Sequence, residues 1–69
     1  MSGVQTRQIG PDDGDQRLDR YMRRLFPHLT QGRIEKMCRK GEIRVNGGRV
    51  KTATRLEIGQ TIRIPPLPT

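Results

Sequence analysis

The sequence GEIRVNGG at residues 41–48 gives the clearest indication of the fold. Its apolar residues Ile43 and Val45 alternate with the charged residues Glu42 and Arg44, which is the two-residue period of a β-strand with one buried face. The Asn-Gly-Gly sequence that follows tolerates the positive φ angles that tight hairpin turns require. The stretch therefore predicts a strand that turns back through residues 46–48 into a return strand over residues 49–51.

Two helical patterns precede this hairpin. The first covers residues 16–26, has Asp15 as its predicted N-cap and ends before a proline. Its apolar residues, spaced i, i+3, i+4, i+7 and i+8, form a stripe along one side: Leu18, Tyr21, Met22, Leu25 and Phe26. The second covers residues 31–40, with Thr30 as N-cap and Gly41 directly after its C-terminus. Both helices are short and amphipathic.

The flanking segments complete the organisation of the chain. Residues 4–9 alternate weakly and predict an edge strand, while residues 61–64 predict a last strand with Ile62 and Ile64 facing inward. The chain thus divides into an acidic lead-in with a turn at residues 1–14, a folded domain at residues 15–64 and a proline-rich linker at residues 65–69. A linker implies a following domain, although a complete protein with a ragged end would show the same pattern.

Composition excludes several classes of protein. No run approaches the ~18 apolar residues of a membrane span, and the first ten residues lack the apolar core of a signal peptide. The single cysteine, Cys38, and single histidine, His28, can form neither an internal disulfide nor a multi-cysteine zinc site. We therefore expect a reduced, cytoplasmic setting with no metal and no cofactor. With 69 residues, the chain also has little interior for an enzyme pocket.

The charge distribution predicts a polyanionic partner. Residues 1–15 carry one basic and three acidic side chains, whereas residues 16–69 carry thirteen basic and four acidic ones. Eleven of the fourteen basic residues are arginine, whose guanidinium forms two-pronged hydrogen bonds to phosphate. On the second helix, Arg33, Lys36 and Lys40 share a stripe about a third of a turn from the apolar one. This stripe is either a binding face or a solvated helix surface.

Four stretches together resemble the S4 domain, an RNA-binding domain named after a small-subunit ribosomal protein. They are RLDRY at residues 17–21, LTQGRI at 29–34, GEIRVNG at 41–47 and LEIGQTIRIP at 56–65. Within that family, the sequence is most similar to the N-terminal module of large-subunit ribosomal pseudouridine synthases of the RluA/RluC type. The resemblance implies an α+β fold in which two short helices pack on a small, mostly antiparallel β-sheet.

The resemblance also implies an RNA-binding surface on the second helix, the adjoining hairpin and the basic end of the first helix. By position it nominates eight residues: Arg17, Arg20, Arg33, Lys36, Arg39, Lys40, Arg44 and Arg49. Two positions depart from the family pattern, since Gln31 stands where a basic residue is common and Gly32 where serine is common. Because the chain has only two aromatic residues, we expect recognition of phosphates and shape in structured RNA rather than base stacking.

The function implied by the resemblance is to dock a ribosomal large-subunit pseudouridine synthase on its rRNA substrate. Isomerisation of uridine would then belong to a catalytic domain beyond the linker. Asp19 lacks the H-R-L-D-x-x-T-S-G context of the family's catalytic aspartate, so we expect a structural role for it in the first helix. Arg17 either contacts RNA or pairs with a carboxylate. The alternative is a free-standing ribosome-associated RNA-binding protein. We expect a bacterial monomer with neither a membrane partner nor a small-molecule ligand.

Overall fold

The computed structural model of the chain describes residues 3–67 and contains two helices and two antiparallel sheets in that range. The elements are β1 (Gln5–Gln8), β2 (Gln16–Arg17), α1 (Leu18–Leu25), α2 (Gln31–Arg39), β3 (Arg44–Val45), β4 (Gly48–Arg49), β5 (Arg55–Leu56) and β6 (Thr61–Ile64). One sheet has the strand order β1-β6-β3-β4, and the other pairs β2 with β5. The predicted α+β class, with two helices on a mostly antiparallel sheet, is confirmed.

The hairpin turns through two residues rather than three. Asn46 and Gly47 have φ angles of 51° and 80°, the left-handed geometry of a turn that matches the twist of the flanking strands. Gly48 already pairs with Val45. The return strand is therefore β4, which begins one residue earlier than predicted and ends before Val50. The prediction of a strand over residues 49–51 was wrong because Gly48 belongs to the ladder and not to the turn.

The inner face of the four-stranded sheet and the apolar sides of both helices enclose one core. Ile62 and Ile64 of β6 are fully buried, as predicted, and Ile34 of α2 is fully buried in the same cluster. Each such side chain contributes roughly 1.5–3 kcal/mol when it leaves water. The buried apolar residues are Ile9, Leu18, Tyr21, Met22, Leu29, Ile34, Met37, Cys38, Ile43, Val45, Leu56, Ile62 and Ile64.

The first helix begins later than predicted, and Asp15 is not its N-cap. Asp15 has a φ of 57°, outside the extended backbone that an N-cap adopts, and the next two residues form β2. The amides of Leu18 and Asp19 donate instead to the carbonyls of Thr54 and Thr52, at 2.8 and 3.1 Å. A distant loop thus supplies the acceptors that a capping side chain would supply locally.

The second helix has the two ends that the sequence predicts. Thr30 Oγ1 accepts a hydrogen bond of 3.3 Å from the amide of Arg33. After the helix, Gly41 has a φ of 75°, and the amides of Gly41 and Glu42 donate back to carbonyls of the last turn at 3.0 and 2.9 Å. This is the glycine-terminated helix end that leaves few carbonyls unpaired.

Both flanking segments pack on this domain. β1 is an edge strand, paired with β6, and Ile9 directly after it is buried in the core. At the other end, Pro65 is buried and Leu67 packs against the core. Residues 1–2 of the predicted lead-in and 68–69 of the predicted linker lie outside the described residues. Neither helix within residues 3–67 has the length and apolar character needed to cross a bilayer.

Candidate RNA-binding surface

Most of the nominated cations have side chains that are available to a ligand. Within residues 3–67, six of the eight are exposed and form neither an ion pair nor a side-chain hydrogen bond. These six are Arg20, Arg33, Lys36, Arg39, Lys40 and Arg49. Because α2 turns its apolar side to the core, its three cations and Lys40 directly after it project into solvent.

Arg17 is engaged by a carboxylate, as the sequence suggests. Its Nη2 atom lies 3.1 Å from Asp19 Oδ2, and Asp19 is only 8% exposed. Asp19 also accepts hydrogen bonds from Gln31 Nε2 at 2.9 Å and from the amide of Arg20 at 2.8 Å. Burial raises the pKa of Asp19, but the bonds from Gln31 and Arg20 and the charge of Arg17 outweigh it and hold that pKa below its ordinary value. Asp19 is therefore a structural residue.

Arg44 is also held by the protein. It lies on the opposite side of β3 from Val45, and it is half-buried rather than fully exposed. Its Nε atom donates to the carbonyl of Gly41 at 2.9 Å, and its Nη1 atom donates to the carbonyl of Gly47 at 3.4 Å. Arg44 therefore ties the end of α2 to the hairpin turn, and its remaining N–H groups are the ones left for a ligand.

The structure places four of the eight nominated residues in two grooves. The first-helix groove, of about 780 Å³, is lined by four arginines of β2 and α1: Arg17, Arg20, Arg23 and Arg24. The hairpin groove, of about 450 Å³, lies between α2 and residues 49–52 and has three cations: Arg39, Arg49 and Lys51. Arg33, Lys36 and Lys40 line neither of these grooves and stand on the open surface of α2.

Several cations on this surface were missed by sequence reasoning. Arg24 follows Arg17 and Arg20 at helical spacing, and this signal was available in the sequence. Arg24 lies 3.9 Å from Asp13, and Arg55 lies 3.0 Å from Asp15, so these two carboxylates partly neutralise this side of the domain. Lys51 could be assigned only after the hairpin groove was formed, because no local pattern connects it to Arg39.

The remaining reactive side chains have other surroundings. Burial, followed by the nearby charges of Asp19 and Glu35, raises the pKa of the Cys38 thiol to about 11. Within residues 3–67, no three of the His, Cys, Asp and Glu side chains are grouped so that they could hold a metal ion. Guanidinium groups line both grooves described above, and groups of this kind form strong hydrogen bonds to anions.

The chain belongs to the S4 domain family, whose pattern matches residues 16–62. It is similar to proteins called ribosomal large subunit pseudouridine synthase C. The relative from Haemophilus influenzae is 38% identical over 66 residues, which cover 96% of this chain and 20% of that protein. The relative from Vibrio cholerae is 38% identical over 64 residues, with 93% and 20% covered. The relative from Escherichia coli K12 is 39% identical over 59 residues, with 86% and 18% covered.

These matches confirm the resemblance that was inferred from the four sequence stretches. The chain spans about a fifth of the length of the curated relatives it matches. The other four fifths of each of those proteins lie outside the region that these 69 residues match.

Proposed function

We propose that this domain binds structured RNA, specifically ribosomal RNA of the large subunit, and thereby docks a pseudouridine synthase on its substrate. The observation that carries the proposal is the set of six exposed cations without a carboxylate partner within residues 3–67. Like charges held close together on a folded surface favour a polyanionic ligand, since phosphate groups relieve their repulsion. The similarity to pseudouridine synthases supports ribosomal RNA as that polyanion.

The proposed mode of binding is contact with phosphates on structured RNA. Tyr21 is buried and Phe26 is half-buried against the core, so the described surface offers no series of exposed rings on which bases could stack. Five to seven phosphate contacts would give a slope of about −3.5 to −6 when log K is plotted against log salt. The isolated domain should bind with a Kd of roughly 10⁻⁴ to 10⁻⁶ M, and linkage to a second domain would raise the effective affinity.

In this proposal the chain itself does not isomerise uridine. Asp19, which lies in the sequence Arg17-Leu18-Asp19, is buried and its carboxylate accepts hydrogen bonds from Gln31, Arg20 and Arg17. A carboxylate committed in this way is not free to attack a base. We assign the reaction to a domain outside these residues and place the protein with its substrate in the cytoplasm.

The direct experiment is a titration of unmodified large-subunit rRNA with the domain at several salt concentrations. Arg33→Ala and Lys36→Ala should each weaken binding, whereas Arg7→Ala on the edge strand β1 should not, although it removes the same charge. Thermal melts should show all three variants folded, because these side chains are exposed. If Arg7→Ala weakens binding equally, RNA affinity depends only on the net charge of the domain, and the proposed binding face does not exist.

Chemical mapping of pseudouridine in the same rRNA tests the catalytic part of the proposal. We expect no site-specific isomerisation by the isolated chain. Isomerisation at even one defined uridine would overturn the assignment of catalysis to another domain.

A further inference from the structure

Three arginines lie in register across the four-stranded sheet. Arg44 of β3 is directly opposite Arg49 of β4 on one side and directly opposite Arg63 of β6 on the other. Residues opposite each other in an antiparallel pair project from the same face, and neighbours along a strand project from opposite faces. Because Val45 and Ile62 face the core, the three arginines share the outer face of the sheet.

No carboxylate neutralises this row within the described part of the chain. Like charges directly opposite each other in a sheet are destabilising. Arg17 and Arg55 are a second pair of directly opposite arginines in this domain. In that pair, however, Arg17 lies 3.1 Å from the carboxylate of Asp19, and Arg55 lies 3.0 Å from the carboxylate of Asp15. None of the ion pairs within residues 3–67 involves the outer-face row. The row is thus a concentration of positive charge that the fold leaves uncompensated.

Backbone carbonyls after α2 hold two of these guanidinium groups in place. Arg44 Nε donates to the carbonyl of Gly41 at 2.9 Å, and Arg63 Nη1 donates to the carbonyl of Glu42 at 2.8 Å. Arg49 lies beside the same turn, since a Cβ atom built on Gly41 would be 2.9 Å from its Nε atom. Each guanidinium has five N–H donors, so donors remain on all three. Groups positioned in advance lose less conformational entropy when a ligand binds.

We infer that Arg49, Arg44 and Arg63 form an outer-face row that binds consecutive backbone phosphates of one RNA segment. The row adds to the cations of α2 and adjoins them at Arg49, which also lines the hairpin groove beside Arg39. The inference rests on the proposed RNA binding and adds to it a second contact surface and a residue, Arg63, outside the nominated set. Opposite Cα atoms in an antiparallel ladder are about 4.5–5.5 Å apart. The row is therefore about 10 Å long, which is long enough to contact two neighbouring phosphates of one strand.

The experiment compares Arg63→Gln with Arg7→Gln in titrations of a short RNA hairpin at several salt concentrations. Both variants lose one positive charge, but Arg7 is opposite Ile62 and so projects from the other face of the same sheet. We expect Arg63→Gln to weaken binding about fivefold and to reduce the salt slope by about 0.7–0.9, the contribution of one phosphate contact. Arg7→Gln should leave affinity within about twofold and the slope unchanged.

A measurement on the unsubstituted domain covers the case in which Arg63→Gln fails to fold. The NMR signals of the arginine Nε–Hε groups should shift on addition of the RNA hairpin for Arg44, Arg49 and Arg63, with one common Kd, and not for Arg7. Lys36→Ala serves to separate the two proposals. If Lys36→Ala weakens binding and the Arg63 signal does not move, the outer-face row is overturned and RNA binding through α2 stands. If no variant weakens binding, the proposed function itself fails.

Discussion

Gln31 Nε2 donates a hydrogen bond of 2.9 Å to Asp19 Oδ2, and this bond joins the beginning of α2 to the beginning of α1. The sequence resemblance places a basic residue at position 31 in many S4 domains, so glutamine there suggested a lost RNA contact. The structure gives the side chain a different role, because its amide satisfies a carboxylate that is only 8% exposed. A neutral donor at this position leaves Arg17 as the one charged partner of Asp19 within the described chain.

The first prediction concerns stability at acidic pH. The folded-state pKa of Asp19 lies below its unfolded value of about 3.9, so its ionised form stabilises the fold fully above about pH 4. This contribution should disappear as the pH falls from that value through the lower folded-state pKa. In thermal melts over this pH range, the Tm of the unsubstituted domain should fall more steeply with decreasing pH than the Tm of Asp19→Asn. Asp12→Asn, at an exposed position of the lead-in, should reproduce the unsubstituted profile; identical profiles for all three would refute the role of Asp19.

Two glycine substitutions should change stability in opposite directions. Gly41→Ala places a Cβ at a φ of 75° and 2.9 Å from Arg49 Nε, so we expect a loss of about 1 kcal/mol or more. Gly32→Ala adds a Cβ to the first turn of α2, where no atom lies within 4 Å, and should gain up to about 1 kcal/mol. Urea unfolding measures both, and a stabilising Gly41→Ala would contradict the helix end described above.

Substitutions at core and at surface positions of α2 should have different effects on stability and on RNA binding. Ile34 is fully buried, so Ile34→Ala should cost about 2–5 kcal/mol in the free energy of unfolding. This is a large fraction of the stability of a small domain, which is roughly 5–15 kcal/mol. Lys36→Ala, two residues along, should change stability by no more than about 0.5 kcal/mol but weaken RNA binding. Urea unfolding and RNA titration of these two variants test the prediction. A folded Ile34→Ala protein that binds RNA as weakly as Lys36→Ala would contradict it.

Cys38 should be unreactive in the folded domain. Burial and neighbouring acidic charges raise the pKa of its thiol to about 11, so almost no thiolate exists near neutral pH. A thiol reagent should therefore modify the protein slowly until urea unfolds it. The thiol of Cys38 has a lower pKa in the unfolded chain than in the folded domain, so unfolding releases a proton between about pH 9 and 11. The free energy of unfolding should therefore decrease as the pH rises through this range. Cys38→Ala should lose this part of the pH dependence; rapid labelling of the native protein would refute the assignment.

The parts of the fold whose causes are local could be predicted from the sequence. Asn46 and Gly47 accept positive φ angles, Thr30 can cap the amide three residues ahead, and Gly41 can end a helix, so the hairpin turn and α2 could be predicted from adjacent residues. The start of α1 could not, because its amides bond to the carbonyls of Thr52 and Thr54, which only the folded chain brings close. The return strand was shifted by one residue because pairing with Val45, rather than turn propensity, decided the place of Gly48.

The same distinction applies to the candidate site. Residue type and helical spacing were enough to indicate Arg33, Lys36 and Lys40, since a helix with a buried apolar side must expose them. Arg39 was nominated by the family resemblance alone. Which cations remain available depended on the conformation of short segments and not on residue type alone. Asp19 binds Arg17 from two residues away, and the carbonyl of Gly41 binds Arg44 from three residues away. The alignment of Arg44 with Arg63 depends on the register of β3 against β6. That register follows from burying the whole inner face of the sheet, and no short stretch of sequence contains this information.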